Sequence, residues 1–235
     1  MIFVGIDDTD TIETRGTNYL AREIVRRAAD RWRCHRILRH QLLFDSRIPY
    51  TSHNGSASMM FEPIGNAEPS QLLELCRHTM QEWYVVGSDP GLCMAEMIPD
   101  SVRDFGRRCQ QEIVNQEQPR QLAAHHGIHL EGLGGTEGGV IGALAAVGLA
   151  ITGDDGRIIQ WKSWPDDLSG VQSIAAIHQR EIVVRDYDTG ADIPTGLIDV
   201  GKHLRPNFCL QQAVVFARRS FTESGTSTFT ALKLP

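Results

Sequence analysis

Lysine is nearly absent from this 235-residue chain: Lys162, Lys202 and Lys233 are the only three among 23 basic residues. No G-x-x-x-x-G-K-[ST] run occurs, which excludes a Walker P-loop, so a nucleotide site here must hold phosphates by other means. The five cysteines, Cys34, Cys76, Cys93, Cys109 and Cys209, form no C-x-x-C pair, which excludes a zinc ribbon on spacing. Their odd, scattered count fits a reducing cytoplasm better than a disulfide scaffold. No apolar run is long enough to span a bilayer, so no membrane partner is expected. The chain opens directly on Ile2-Phe3-Val4-Gly5-Ile6, with no basic leader and no cleavage pattern, so no secretory signal is read. The net charge of −6 weighs against a broad electrostatic footprint on nucleic acid.

What is present is an ordinary globular composition, long enough for one large domain or two small ones. The pattern predicts a buried strand over 2–6 and a polar loop over 7–17. A helix is expected from Asn18 to Trp32, with Leu20, Ile24, Ala28 and Trp32 on its core face. The arginines of that helix, Arg22, Arg26, Arg27, Arg31 and Arg33, read first as a solvated face near a helix C-terminus and second as a phosphate or RNA patch. Strands are expected over 36–44 and 56–62, and helices over 70–83, 100–114, 119–124 and 140–149. Further strands are expected over 157–162, 173–177, 181–186 and 212–218. The fold class expected is α+β: a ferredoxin-like start, mixed or antiparallel sheets, and packed helices. Residues 1–152 are expected to form a nucleotide-binding, kinase-like region, and 153–235 a smaller β-rich region that completes the fold or forms a second subdomain.

The most informative segment is Gly5-Ile6-Asp7-Asp8-Thr9-Asp10. Three carboxylates at the end of a buried strand repel one another and resist desolvation unless a cation joins them. Hard oxygen ligands suit Mg²⁺, which is held by one or two carboxylates plus substrate phosphates. Turn capping accounts for a single aspartate; three make Asp7, Asp8 and Asp10 candidate metal ligands and catalytic groups. Thr17, ten residues beyond Asp7, is either the N-cap of the first helix or a hydroxyl that binds or attacks a phosphate. The second constellation runs from Gly134 to Gly148. Bare backbone there, at Gly138, Gly139 and Gly142, either cradles an anion at a helix N-terminus or lets a core helix pack closely. Softer candidates are the polar loop Tyr50–Ser56, with its Asn54-Gly55 turn signal; His125, His126 and His129; and Ser88-Asp89-Pro90-Gly91 and Asp154-Asp155-Gly156, which read as turns.

Together these residues resemble a known family. Gly5-Ile6-Asp7-Asp8-Thr9-Asp10, followed by Gly16-Thr17-Asn18-Tyr19-Leu20, is similar to the opening of archaeal tRNA(Ile) agmatinylcytidine synthetase. Ile48-Pro49-Tyr50, Asn54-Gly55, Asp89-Pro90-Gly91 and Ile141-Gly142-Ala143-Leu144-Ala145-Ala146-Val147-Gly148 resemble further landmarks of that family, in the same order. The resemblance implies ATP and Mg²⁺ as cofactors and phosphorylation of a tRNA cytidine oxygen, followed by displacement of the phosphate by agmatine. It implies phosphorylation of Thr17, and a nucleotide site built from the acidic loop with Thr9, Asn18, Asn54, Gly138, Gly139 and Gly142. The family's cysteine before the threonine is Gly16 here, and its basic pair before the apolar helix is Glu137-Gly138. Its oligonucleotide-binding domain and zinc ribbon have no counterpart in this sequence. The chain is therefore expected to be an ATP- and Mg²⁺-dependent phosphotransferase or ligase whose acceptor the sequence does not identify, to bind tRNA weakly or not at all, and to be compatible with a homo-oligomer. The alternatives are a non-catalytic nucleotide-binding module and a haloacid-dehalogenase-like phosphatase built on Asp8-Thr9-Asp10 and Asp154-Asp155.

Overall fold

The computed structural model describes residues 1–11, 13–48, 54–221 and 227–234. Pro49, Tyr50 and the stretch 51–53, which hold much of the polar loop singled out above, lie outside the described residues, as does Ile12. The chain divides into two compact units, Met1–Thr152 and Gly153–Pro235.

The first unit runs β1 (Ile2–Asp7), α1 (Thr17–Ala28), β2 (Trp32–Gln41), β3 (Gly55–Pro63), α2 (Pro69–Glu82), β4 (Gly91–Ala95), α3 (Asp100–Cys109), α4 (Glu117–His126), β5 (His129–Gly132) and α5 (Val140–Thr152). Its strands lie in the order β5-β4-β1-β3-β2, with antiparallel neighbours throughout. The opening β-α-β-β-α-β run with its four strands in the order 4-1-3-2 is the ferredoxin-like arrangement, so the expected α+β class describes the fold.

The helix α1 buries Leu20, Ala21, Ile24, Val25 and Ala28, the stripe expected from its spacing. It stops at Ala28, four residues short of the expected end. The N–H of Arg31 turns back to the carbonyl of Ala28 at 3.0 Å, and Trp32 begins β2 instead. Trp32 falls on the helical register by coincidence; it opens a run whose Ile37 and Leu38 are both buried, one toward each face of a sheet. The expected helix over 100–114 also ends early, at Cys109.

α5 lies across β1, β3 and β4 and is covered by α3. Phe3, Cys93, Ala95, Val102, Phe105, Cys109, Ala143, Leu144, Val147 and Leu149 form the core between them. The approach is very close: a Cβ on Gly5 would stand 2.1 Å from the Ala143 carbonyl oxygen.

The second unit runs β6 (Arg157–Trp161), β7 (Val171–Ser173), α6 (Ile174–His178), β8 (Ile182–Asp186), β9 (Leu197–Asp199), β10 (Asn207–Cys209), β11 (Gln212–Phe221) and β12 (Ser227–Ala231). Its strands follow the order β6-β10-β11-β12-β9-β7, and β8 lies parallel to β11. Leu210 and Gln211, at φ 48° and 64°, make the two-residue turn that twisted hairpins favour. The strand expected over 173–177 is instead the short helix α6, because Ser173 caps it by accepting the Ala176 N–H at 3.2 Å. Among the described residues no helix is long and apolar enough to cross a membrane.

Candidate active site

Alternation along β1 turns Phe3, Gly5 and Asp7 toward α5, and Asp7 is the last residue of the strand. Asp8 follows at φ 50°, a left-handed conformation that aspartate tolerates better than most residues. It turns the acidic loop out of the sheet. Asp10 then reaches back to the start of α1: its Oδ1 accepts the Thr17 backbone N–H at 3.2 Å and the Thr17 hydroxyl at 3.0 Å. Thr9 Oγ1 donates to Thr17 Oγ1 at 3.1 Å. Thr17 is therefore not the N-cap. Gly16 holds that position in extended backbone without a side-chain cap, and the Asp10 carboxylate supplies the missing acceptor from seven residues away.

The glycine-rich stretch meets this loop from the other side. Gly139 donates its N–H to the Asp89 carbonyl at 2.9 Å. A Cβ on Gly142 would lie 1.8 Å from Asp7 Oδ2, and one on Gly91 would lie 2.1 Å from the Gly139 carbonyl carbon. These glycines thus let the first turn of α5 touch the ends of β1 and β4. The N–H groups of Val140 and Ile141 go to the carbonyls of Glu137 and Gly138. Asp89 links the two segments: its carboxylate accepts the Thr136 N–H at 2.8 Å and also the Thr136 hydroxyl, while its backbone N–H faces the Asp8 carboxylate.

A cavity of about 450 Å³ opens where these pieces converge. Of the residues singled out in the sequence, Asp7, Asp8, Asp10, Thr17, Asn54, Gly138, Gly139 and Gly142 line it. Thr9 and Asn18 are not among the lining residues: Thr9 is buried behind Thr17, and Asn18 sits half-buried in the first turn of α1. The side chain of Asn54 is committed to the Leu43 carbonyl at 2.8 Å. Asp89, which reads in the sequence as part of a turn, also lines the cavity, as does the segment after α3 with Glu112, Asn115 and Gln116. The Asp89-Pro90-Gly91 element carried the signal for the first; nothing in the sequence pointed to the second. His126 and His129, softer candidates, are paired with Ser101 at 2.8 Å and Glu131 at 2.9 Å. Asp154 accepts the Leu210 N–H at 3.1 Å, a turn role. With antiparallel neighbours on both sides of β1, nothing here favours the phosphatase alternative.

Burial is the main force on the acidic loop. It pushes the Asp7 carboxyl up to about 8, helped by the charges of Asp8 and Asp10 and opposed by Arg39. It pushes Asp8 up to about 6, helped by Asp89 and Asp10. Among the described residues no three His, Cys, Asp or Glu side chains are grouped closely enough to hold a metal ion by themselves. A hard cation held here would need oxygens beyond these carboxylates, such as the phosphate oxygens with which Mg²⁺ is usually bound.

A pH dependence of stability follows. The folded chain binds protons at Asp7 and Asp8 more tightly than the unfolded chain, where both titrate near 3.8. The stability these groups confer is fully present below about pH 4 and is lost as pH rises through 6 and then 8. Thermal melts of the ligand-free protein should fall by several degrees between pH 5 and 8.5. Asp7→Asn should flatten the upper part of that decline; an identical decline in the variant would mean that Asp7 is not its source.

No family model matches the chain. Among curated proteins, the tRNA(Ile2) 2-agmatinylcytidine synthetase TiaS of Cenarchaeum symbiosum (strain A) is 26% identical over 188 residues, covering 73% of this chain and 41% of its own length. A solved tRNA fluorescent labeling enzyme shares the fold, with a TM-score of 0.55 and 24% identity over 63% of this chain and 35% of that one. The TiaS–tRNA(Ile2)–ATP complex does so with a TM-score of 0.53 and 22% identity over 63% and 36%. The chain thus spans about two fifths of the length of the curated relative. The landmarks from the acidic loop to the apolar helix, the alignment and the fold agree: this chain is similar to the tRNA(Ile2) 2-agmatinylcytidine synthetases over less than half of their length.

Proposed function

We propose that the chain binds ATP with Mg²⁺ in the cavity at the end of β1 and uses it to activate an oxygen of an acceptor for attack by an amine. One observation carries this reading: Asp7, Asp8, Asp10 and Asp89 converge on a single cavity with the Thr17 hydroxyl and the first turn of α5. Asp7 and Asp8 would share the cation with the phosphate oxygens, while Asp10 stays on Thr17, and the cation would neutralise phosphate charge at the reacting centre. The N-terminal end of α5 adds the positive end of a helix dipole. Thr17 is poised as a nucleophile, its proton already directed at Asp10. With ATP bound, Thr17 Oγ1 would take the γ-phosphoryl group, ADP would leave, and Asp10 would accept the hydroxyl proton. The resemblance supports a threonine in this role.

Isothermal titration of ATP with and without Mg²⁺ tests the reading. Binding that strengthens with Mg²⁺ is expected; no binding of any nucleotide would sink it.

The relatives' names tie them to tRNA, and this chain is expected to bind tRNA weakly. Its arginines are largely spent on internal pairs: Arg26 and Arg27 with Glu23, Arg27 also with Glu82, Arg33 with Glu62, and Arg77 with Glu74 and Glu131. With a net charge of −6, few cations remain to release counterions from a phosphate backbone. A gel-shift titration at physiological salt should show no submicromolar binding. Tight binding that prefers tRNA over random RNA would instead make tRNA the acceptor.

A further inference from the structure

The buried hydroxyl of Ser56 has no part in the site described so far. In the antiparallel pairing of β1 with β3, Gly5 stands opposite Ser58 and Ile6 opposite Ala57. The next position in register sets Ser56 beside Asp7, both on the α5 face. Across β3, His40 of β2 stands opposite Ser56. Ser56 and His40 are 1% and 0% exposed. His40 Nε2 and Ser58 Oγ lie 2.8 Å apart, whereas Ser56 Oγ is buried with no hydrogen-bond partner among the described residues. Buried polar groups are almost always satisfied, and an orphan hydroxyl weakens the fold that holds it. Directly opposed positions in a sheet bring Cβ atoms within about 4.5–5.5 Å, so one side-chain rotation can close an O–H···O bond between Ser56 and the Asp7 carboxylate. Gly55, the preceding residue, lines the same cavity as Asp7.

Resting on the reading that Asp7 serves Mg²⁺-dependent nucleotide binding, we infer that Ser56 is a positioning residue whose hydroxyl donates to the Asp7 carboxylate when a divalent cation binds there. The bond would occupy one carboxylate oxygen and leave the other turned to the cation. It would also give the Ser56 hydroxyl an acceptor, so that cation binding and the satisfaction of Ser56 are coupled. Partners behind a ligating carboxylate fix its orientation, and their loss lowers metal affinity by about 10–100-fold.

The test compares the wild type with Ser56→Ala and Ser58→Ala by ATP titration with and without Mg²⁺, and by thermal melts. Ser56→Ala removes an unsatisfied group, so it should melt no lower than the wild type and keep its Mg²⁺-free ATP affinity. It should lose about tenfold of the gain that Mg²⁺ confers. Ser58→Ala removes the hydroxyl 2.8 Å from His40 Nε2, so it should melt lower and keep the gain. A full Mg²⁺ gain in Ser56→Ala, or an equal loss in both variants, would overturn the role of Ser56 and leave the nucleotide reading standing. A wild type without Mg²⁺-dependent ATP binding would overturn both.

Discussion

Asp7→Asn and Asp8→Asn should each weaken Mg²⁺-dependent ATP binding by at least tenfold. Each substitution keeps the shape of the side chain and removes a carboxylate from the proposed cation site. A charge-assisted contact contributes about 1.5–3 kcal/mol, which is a factor of ten or more in affinity. Asp8 is a clean position for this test, because asparagine tolerates the φ of 50° that the backbone adopts there. The same substitution at Asp7 should raise the thermal stability of the ligand-free protein near pH 8, since it removes the carboxyl that burial opposes. A variant that is more stable and less able to bind is the signature of a functional residue held against the preference of the fold. Titration calorimetry and melts on the same samples check both halves. Unchanged ATP affinity in both variants would reduce the carboxylates to turn formers.

The glycines under α5 should separate into two classes when replaced by alanine. Gly5→Ala and Gly91→Ala drive a methyl group to about 2.1 Å from backbone atoms of Ala143 and Gly139. Backbone cannot rotate away, so helix and sheet must part. Overpacking of this kind reaches about 3 kcal/mol or more, which lowers the melting temperature by roughly 10 °C in a domain of this size. Gly142→Ala differs, because the nearest atoms are Asp7 Oδ2 and Cγ, the far end of a side chain, with Asp7 Cβ behind them at 2.9 Å. Asp7 can move aside, so the fold should survive while Mg²⁺-dependent binding falls as far as in Asp7→Asn. Melting curves for the three variants, followed by ATP titration of any that fold, distinguish the classes. A Gly142→Ala protein with wild-type binding would mean that the orientation of Asp7 is immaterial.

The acidic loop was legible in sequence because its physics is local: three carboxylates at a strand end are uncomfortable wherever the chain goes next. The core face of α1 was legible for the same reason, through the spacing of Leu20 and Ile24. The misread boundaries are places where local pattern and tertiary packing disagree. Trp32 continues a helical stripe but is claimed by β2, and Ser173 interrupts an apolar run to cap α6. The strand β4, Gly-Leu-Cys-Met-Ala, was missed because it has neither alternation nor β-branched residues; it is a strand by virtue of β1 and β5 on either side. Asp89 was hidden by its own motif. Asp-Pro-Gly signals a turn, and the contact that gives it a further role, with Thr136, spans 47 residues. The link from Asp10 to Thr17 shows the same limit over a shorter range, since a cap supplied from seven residues away has no sequence signature.

The helix α5 has buried residues on every face, from Val140 to Ala150, and carries no charge, so it has no stable existence outside a core. It is also the last element of its unit to leave the ribosome. The five strands beneath it, ending with β5 at Gly132, are synthesised first, yet the face that bears Gly5 and Asp7 stays open to water until residues 140–150 emerge. α5 supplies part of the cover that raises the Asp7 carboxyl, since a Cβ on its Gly142 would stand 1.8 Å from Asp7 Oδ2. The chemistry of the site and the completion of the fold are one event in the life of the chain.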